Sequence, residues 1–317
     1  MTVYYHEFLS NHEARKRYWA RSFLGWTTLH RAGPNAGHYA VRDLGRLGLL
    51  QQVITQNVDS FHPKAHSDLI PTLELHGYLR STVCLSCHHE FPRDSFQDQL
   101  ARLNPAWASF LKEAVASGAL GTENRDAHRA KGIRTNPDGD VDLPDAPYTT
   151  FRYPACPRCL VQPPLEPNGM RSVVRVDGEG AWMSTSTAGI LKPAVVMFGE
   201  SIANPVKLAA ESAIDQAGRL LVIATSLATY SAWRLAKRAK DRGMPIAILN
   251  MGGVRGEEAF FDTLDPAQKG DQGVRVDMST ESLLPALVRE LERSTVDGRQ
   301  TPRPPLSRQA VFKDMLS

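Results

Sequence analysis

The sequence predicts an α/β fold, a parallel sheet layered with helices and joined to a smaller zinc-holding module. Three observations predict it. Short apolar runs such as RLLVIATS and PIAILN alternate with helix-like stretches, and each ends in a polar or Gly-containing cluster. The four cysteines, Cys84, Cys87, Cys156 and Cys159, form two Cys-x-x-Cys pairs with none left over. At 317 residues the chain has room for one large layered domain and a small module.

Composition narrows the function classes. Net charge is +3 and 42% of residues are hydrophobic, so nothing calls for a nucleic-acid or membrane partner. A zinc-ribbon nucleic-acid binder is disfavoured because the basic residues are dispersed and no helix clusters Arg and Lys. No apolar run approaches the length of a spanning helix. The start, MTVYYHEFLSNHEARKRYWAR, has no apolar signal core and contains Glu7 and Glu13, which a transit peptide avoids.

Residues 1–50 read as helical pieces, with Tyr18, Trp19, Phe23 and Trp26 as apolar residues and a turn at Gly33-Pro34-Asn35. Residues 51–80 and 190–293 read as the parallel-sheet domain. Val53 and Ile54 form a buried strand ending in Thr55, followed by Gln56, Asn57, Asp59 and the lone His76 before Gly77. Buried polar groups need partners, and ligands bind at the C-terminal ends of strands in open α/β sheets. That concentration predicts a site.

Residues 81–189 read as the zinc module with two polar inserts. Two thiolates from each pair complete a tetrahedral zinc site, and four thiolates leave no open position for water, so the ion is structural. Two redox pairs or a disulfide framework are the other readings. The first lacks a thioredoxin-like context, and the second does not suit a chain of intracellular character. Between the pairs, residues 97–148 begin helical (LARLNPAWASFLKEAVA) and then turn polar. Residues 161–189 form the second insert, and both are expected to be mobile surface excursions.

From Leu191 the β/α alternation returns. A strand core at 195–198 ends in Gly199-Glu200, and a helix over 206–216 leads to RLLVIATS. A helix over 232–242, a strand over 245–250 and an amphipathic helix with Leu283, Leu284, Leu287 and Leu291 on one face follow. This order means a parallel sheet with right-handed crossovers. Residues 294–317, rich in Pro and Arg, read as a disordered tail.

The ordered motifs TQNVDSFH, ELHG, paired Cys-x-x-Cys, LKPAVVMFGE, ATS and LNMG resemble the sirtuins, NAD-dependent protein deacylases, over roughly residues 14–291. KRYWARSFLGW and GPNAGH resemble the class II branch that includes mitochondrial sirtuins of lipoamidase/ADP-ribosyltransferase type. The resemblance implies a Rossmann-like doubly wound sheet, NAD and one structural zinc as cofactors, and acylated lysine in proteins as substrate. It also implies the mitochondrial matrix as the address, with cytoplasm or nucleus as the alternative.

The resemblance further implies individual roles. His76 matches the general base. The acyl oxygen attacks the ribose C1′ as nicotinamide leaves, and His76 accepts a proton from the ribose hydroxyl that attacks the resulting imidate. An imidazole suits the task because its ordinary pKa lies near operating pH; the plainer reading is a helix-start His satisfied by backbone. Gln56, Asn57, Val58 and Asp59 match the cluster around nicotinamide and its ribose, where amides can donate and accept. Their alternative is an Asx-rich strand cap. Ala224, Thr225 and Ser226 match a phosphate- and ribose-holding turn, with Ala224 where the family usually has Gly. Asn250 and Gly252 match the adenosine-ribose strand end, although an Asn-x-Gly alone is more often a turn.

Val195, Val196, Met197, Phe198 and Gly199 match the segment that pairs with substrate peptide as an added strand; without the family they are core strand. Tyr18 and Arg21 have the Tyr-x-x-Arg spacing with which desuccinylating sirtuins grip an acyl carboxylate, against a solvated helix Arg beside a packed Tyr. The family's opening strand, its Gly-Ala-Gly-x-Ser loop and its Ile-Pro-Asp-Phe-Arg segment have no counterpart here. The loop cradles the NAD pyrophosphate, so the expectation is an N-terminally incomplete chain with interior strand edges exposed. A non-catalytic, zinc-containing scaffold that binds peptides is the alternative function.

Overall fold

Three helices begin the chain in the computed structural model, which describes residues 2–120, 133–135, 139–262, 264–265 and 270–296. They are α1 (Tyr5–Ser10), α2 (His12–Arg31) and α3 (Ala36–Arg46). Asn11 ends the first and caps the second, its side chain accepting from the Glu13 and Ala14 amides. Asn35 caps α3 in the same way, after the Gly33-Pro34 break. Strand β1 (Val53–Thr55), α4 (Phe61–His66) and β2 (Thr72–Glu74) follow, and β1 and β2 pair in parallel.

The zinc module is built on β3 (Gly77–Cys84) and β4 (Glu90–Pro92), then α5 (Arg93–Leu103) and α6 (Pro105–Ala116). The short hairpin of β5 (Arg134–Thr135) and β6 (Val141–Asp142) precedes α7 (Pro157–Val161). Strand β7 (Leu191–Val195) then pairs antiparallel with β3, giving the sheet order β4-β3-β7. This differs from the expected strand over 195–198 in the parallel sheet. The strand lies earlier and closes the module instead. Gly77 permits it: a Cβ there would sit 2.1 Å from the Ala194 carbonyl oxygen, and its φ is +74°.

The rest of the chain alternates α8 (Asn204–Gln216), β8 (Leu220–Ile223), α9 (Tyr230–Asp241), β9 (Ile246–Leu249), α10 (Glu257–Phe261), β10 (Gly273–Val276) and α11 (Thr280–Val296). β8, β9 and β10 form a parallel sheet with β9 in the middle. Successive side chains of a strand point to opposite faces, and the two cores follow that alternation. Val222, Ile246 and Ile248 pack with α8 and α9 residues such as Ile214 and Leu235, together with Ile54 and Leu73. Leu221, Ile223 and Leu249 pack with Val41, Leu44, Leu284 and Val53. Helices therefore cover both faces, the doubly wound arrangement. The parallel strands fall into two pieces, β1–β2 and β8–β9–β10, with no ladder between them among the described residues.

The third and largest core joins α1, α2, α5 and α6 to β3, β7 and the cysteines. It reaches into both polar inserts: Val141 of the first and Trp182 of the second are buried in it, as are Phe151 and Tyr153 between the two, while residues 121–132 and 136–138 of the first lie outside the described residues. The Trp182 indole donates to the Ala188 carbonyl at 3.0 Å, and its ring stacks on Tyr153. Scattered large apolar residues thus anchor segments whose average composition is polar. Residues 297–317, most of the expected disordered tail, lie outside the described residues.

Candidate functional site

The polar residues gathered by sequence lie on loops that leave the C-terminal ends of β1, β2, β8 and β9. Gln56 follows β1. Its amide nitrogen donates to Thr225 Oγ1 at 2.9 Å, and its amide oxygen accepts from Thr229 Oγ1 at 3.0 Å. One side chain thus spans the two parallel pieces. Asn57 is exposed, with its amide donating to Thr55 Oγ1 at 3.1 Å. Asp59 Oδ1 accepts from the Phe61 amide at 2.8 Å and starts α4. The Val58 carbonyl accepts from the Leu79 amide at 2.9 Å, tying this loop to β3.

His76, between β2 and β3, is half-buried. Its Nδ1 lies 3.2 Å from the Gln56 carbonyl and its Nε2 2.9 Å from Ser231 Oγ. A carbonyl only accepts, so the network assigns the proton to Nδ1 and leaves Nε2 with its lone pair. Burial lowers the His76 pKa below the ordinary value, opposed by the bond to Gln56. The ring is therefore a neutral imidazole with a fixed tautomer, the state a general base requires. The His76 carbonyl accepts from the Val196 amide at 2.8 Å.

After β8, Ala224 adopts φ +50°, the left-handed region that favours glycine. Thr225 Oγ1 also accepts from the Leu227 amide at 3.1 Å, and the Ser226 carbonyl accepts from the Arg255 amide at 2.8 Å. After β9, Asn250 is buried and donates to the Met251 and Gly252 carbonyls at 3.1 and 3.2 Å. Asp277 accepts from the Gly252 amide at 3.1 Å. Nothing lies within 4 Å of a Cβ built on Gly252. Ala224, Ser226 and Gly252 are exposed along this rim. Exposed small residues beside amide and hydroxyl donors suit a dinucleotide, with the carboxamide-like chemistry concentrated at Gln56 and Asn57.

The segment expected to take a peptide divides in two. Val195 and Met197 are buried core, whereas Phe198 is 57% exposed and Gly199 turns with φ +83°. The Phe198 carbonyl accepts from the Tyr5 amide at 2.9 Å. Tyr18 packs edge-on against Phe8 and Trp19. Arg21 meets Asp140 at 2.8 Å, with 2% and 6% of the two side chains exposed. The Arg21 guanidinium is thus already matched by a carboxylate from the first insert.

The four cysteines converge. Cys84 Sγ lies 3.6 Å from Cys159 Sγ, Cys87 Sγ lies 3.7 Å from Cys156 Sγ, and all four sulfurs fall within 4.8 Å of one another. Zinc–sulfur bonds of about 2.3 Å in a tetrahedron place sulfurs about 3.8 Å apart, so the cluster fits a zinc ion. No disulfide joins them. Thiol donors, Cys156 first, pull Cys84 down to about 5, while burial pushes Cys159 up to about 12. Four thiolates packed this closely repel one another unless a cation sits among them.

Sequence reasoning missed Thr229 and Ser231, hydroxyls at the start of α9, and the buried Lys192–Glu200 pair. A Thr-x-Ser entering a helix from a strand-end loop was the available signal for the first two; Lys192 inside an apolar run was the signal for the third.

Comparison with known proteins accords with this geometry. The family described as Sir2 family matches residues 3–231. The chain is 38% identical over 257 residues to an NAD-dependent protein deacylase, SIR4, of Batrachochytrium dendrobatidis, covering 81% of this chain and 72% of that protein. It is 34% identical to the NAD-dependent protein deacylase SRT2 of Arabidopsis thaliana, covering 81% of this chain and 59% of that one. A solved chain from work on sirtuin substrate affinity superposes with a TM-score of 0.54 at 16% identity, covering 92% of this chain and 84% of its own. The chain belongs to the Sir2 family, the sirtuins.

Proposed function

We propose that this chain is an NAD-dependent protein-lysine deacylase that transfers the acyl group to ADP-ribose and releases nicotinamide. One observation carries the reading. His76 holds a neutral, oriented ring in the strand-end cluster while its own carbonyl holds Val196, so base and peptide segment are positioned by one residue. NAD supplies the electrophilic ribose carbon and the leaving nicotinamide. Gln56, Asn57 and Asp59 would hold its nicotinamide end, Thr225 and Ser226 its phosphates, and Asn250 and Gly252 its adenosine ribose. His76 Nε2 accepts the proton from the attacking hydroxyl, Nδ1 keeps its own on the Gln56 carbonyl, and Phe198 and Gly199 present backbone to the acyl-lysine peptide. The zinc cluster is remote from this chemistry and braces β3 against α7.

The Arg21–Asp140 pair favours a neutral acyl chain over an acidic one. The 16–26 run and the 33–38 run support the class II branch, and with it the mitochondrial matrix and a capacity for ADP-ribosyl transfer. Imaging of the tagged protein beside a matrix marker tests the address. Nicotinamide release from NAD with an acetyl-lysine peptide tests the activity, and His76→Ala is expected to lower it about 100-fold or more. Equal turnover by wild type and His76→Ala would remove the assignment.

A second reading has one observation in its favour: the Gln56 amide and both His76 ring nitrogens are already satisfied by the chain's own groups. That suits a peptide-binding scaffold with weak cofactor affinity. Calorimetry separates the readings, since NAD binding at millimolar or tighter affinity supports the enzyme and none supports the scaffold.

A further inference from the structure

Lys192 lies inside β7, opposite Val83 of β3, and is 5% exposed. A lysine buried in a strand is costly unless its ammonium is paired and fully hydrogen-bonded. Here Nζ donates to the Val195 carbonyl at 2.6 Å and to Glu200 Oε2 at 2.9 Å. The same Glu200 oxygen accepts from the Met197 amide at 2.8 Å, and the Glu200 amide donates back to the Met197 carbonyl at 2.9 Å. These bonds form a closed ring around residues 195–200. Its outer side carries the exposed Phe198 and the positive-φ Gly199; its inner side is held to the His76 carbonyl through Val196.

We infer that the Lys192–Glu200 pair is a positioning device for the acyl-lysine substrate. It holds the turn that presents Phe198 and Gly199 to the peptide and leaves the dinucleotide side alone. The inference rests on the deacylase reading above. A purely structural pair would be needed equally for everything the protein does. A positioning pair acts on peptide recognition, because among the described residues neither hydrogen-bonds to the strand-end loops that carry Gln56, Thr225 or Asn250. Adding a strand to an exposed edge requires that edge to be preformed, and a mobile edge must be ordered at the expense of binding.

The test uses the full chain with Glu200→Gln, which keeps an oxygen for the Met197 amide but removes the charge, and Lys192→Met. Acetyl-lysine peptide is varied at saturating NAD, then NAD at saturating peptide. The expected result is a peptide KM raised about tenfold, kcat within about twofold and an unchanged NAD KM. Replacing both residues together removes the unpaired buried charge and is expected to recover part of the peptide KM. Amide hydrogen exchange gives a readout free of catalysis: residues 197 and 200 are expected to exchange about tenfold faster in Glu200→Gln, with residues 246–249 unchanged. If Lys192→Met does not fold, Glu200→Gln decides. An unchanged peptide KM, a parallel rise in NAD KM, or wild-type exchange at 197 and 200 overturns the inference. A wild-type chain inactive on every acyl-lysine peptide refutes the deacylase reading instead, and the exchange experiment still decides whether the pair orders the turn.

Discussion

Replacing Asp140 by leucine removes the carboxylate that meets Arg21 at 2.8 Å in a site where both side chains are almost wholly buried. Breaking a buried ion pair from one side costs roughly 3–5 kcal/mol, because the remaining charge keeps its desolvation penalty. The lower end applies here. Against the effect of burial, Arg21 helps to lower the Asp142 pKa, so Asp142 offers a second negative charge nearby. The backbone that carries Asp140 is also fastened to α2, since a Cβ on Gly25 would sit 1.9 Å from the Gly139 oxygen. A loss of about 3 kcal/mol corresponds to a melting temperature lowered by roughly 5–10 °C in a protein of this size. Arg21→Met alone is expected to lose a similar amount. Arg21→Met with Asp140→Leu is expected to regain most of it, because apolar replacement of both members of a buried pair is often close to neutral. Thermal melts of the four proteins, combined as a double-mutant cycle, measure the coupling. Single variants that melt within a degree of wild type, or a double variant whose loss equals the sum of the singles, would show that no such pair operates.

Other expectations concern the metal, the turn after β8 and pH. One zinc per chain should be found by atomic emission. Its removal by chelator, or by Cys84→Ser, should abolish cooperative unfolding, since structural zinc contributes about 10–16 kcal/mol against a typical net stability of about 5–15 kcal/mol. Ala224→Gly should stabilise the protein by about 1 kcal/mol by relieving the left-handed φ; a lower melting temperature in that variant would count against the strain. Burial holds the His76 pKa below 6.5, so kcat/KM should stay level through neutral pH and fall only as pH drops through that depressed pKa. A break above 6.5 would point to another group. His62 sits against His38 and His66, with ring centroids 4.8 and 5.7 Å away, and burial holds it down to about 4. The unfolded chain therefore takes up the proton first, and stability should decline as pH falls from about 6.5 to about 4. His62→Gln should flatten that decline in urea titrations at pH 7 and pH 5.

What the sequence disclosed depended on how local the determining signal was. The strands ending at Thr55, Ile223 and Leu249 were legible because each is an apolar run closed by polar residues, and the helix expected over 38–49, which runs over 36–46, because the Gly33-Pro34-Asn35 turn marks its start. The cysteine cluster was legible because paired spacing carries its own chemistry. Partnership between distant segments was not legible. Nothing within residues 191–195 indicates an antiparallel neighbour at residues 77–84, and the enabling feature is the missing side chain of Gly77. Arg21 shows the same limit: nothing in its spacing from Tyr18 points to Asp140, more than a hundred residues away, which it meets at 2.8 Å. Thr229 and Ser231 were passed over because a hydroxyl at a helix start is usually a cap, and their role emerges only once the loops after β1 and β8 meet.

The position of His76 has one more consequence. Its ring is fixed by Gln56 in the strand-end cluster, and its carbonyl is fixed by Val196 beside the peptide turn. Two ligands that each tighten one side of such a residue share a free energy. Whatever factor a bound peptide adds to dinucleotide affinity, a bound dinucleotide must add to peptide affinity. Order of addition would then be a matter of rates, and the coupling between the two ligands would pass through one short piece of main chain.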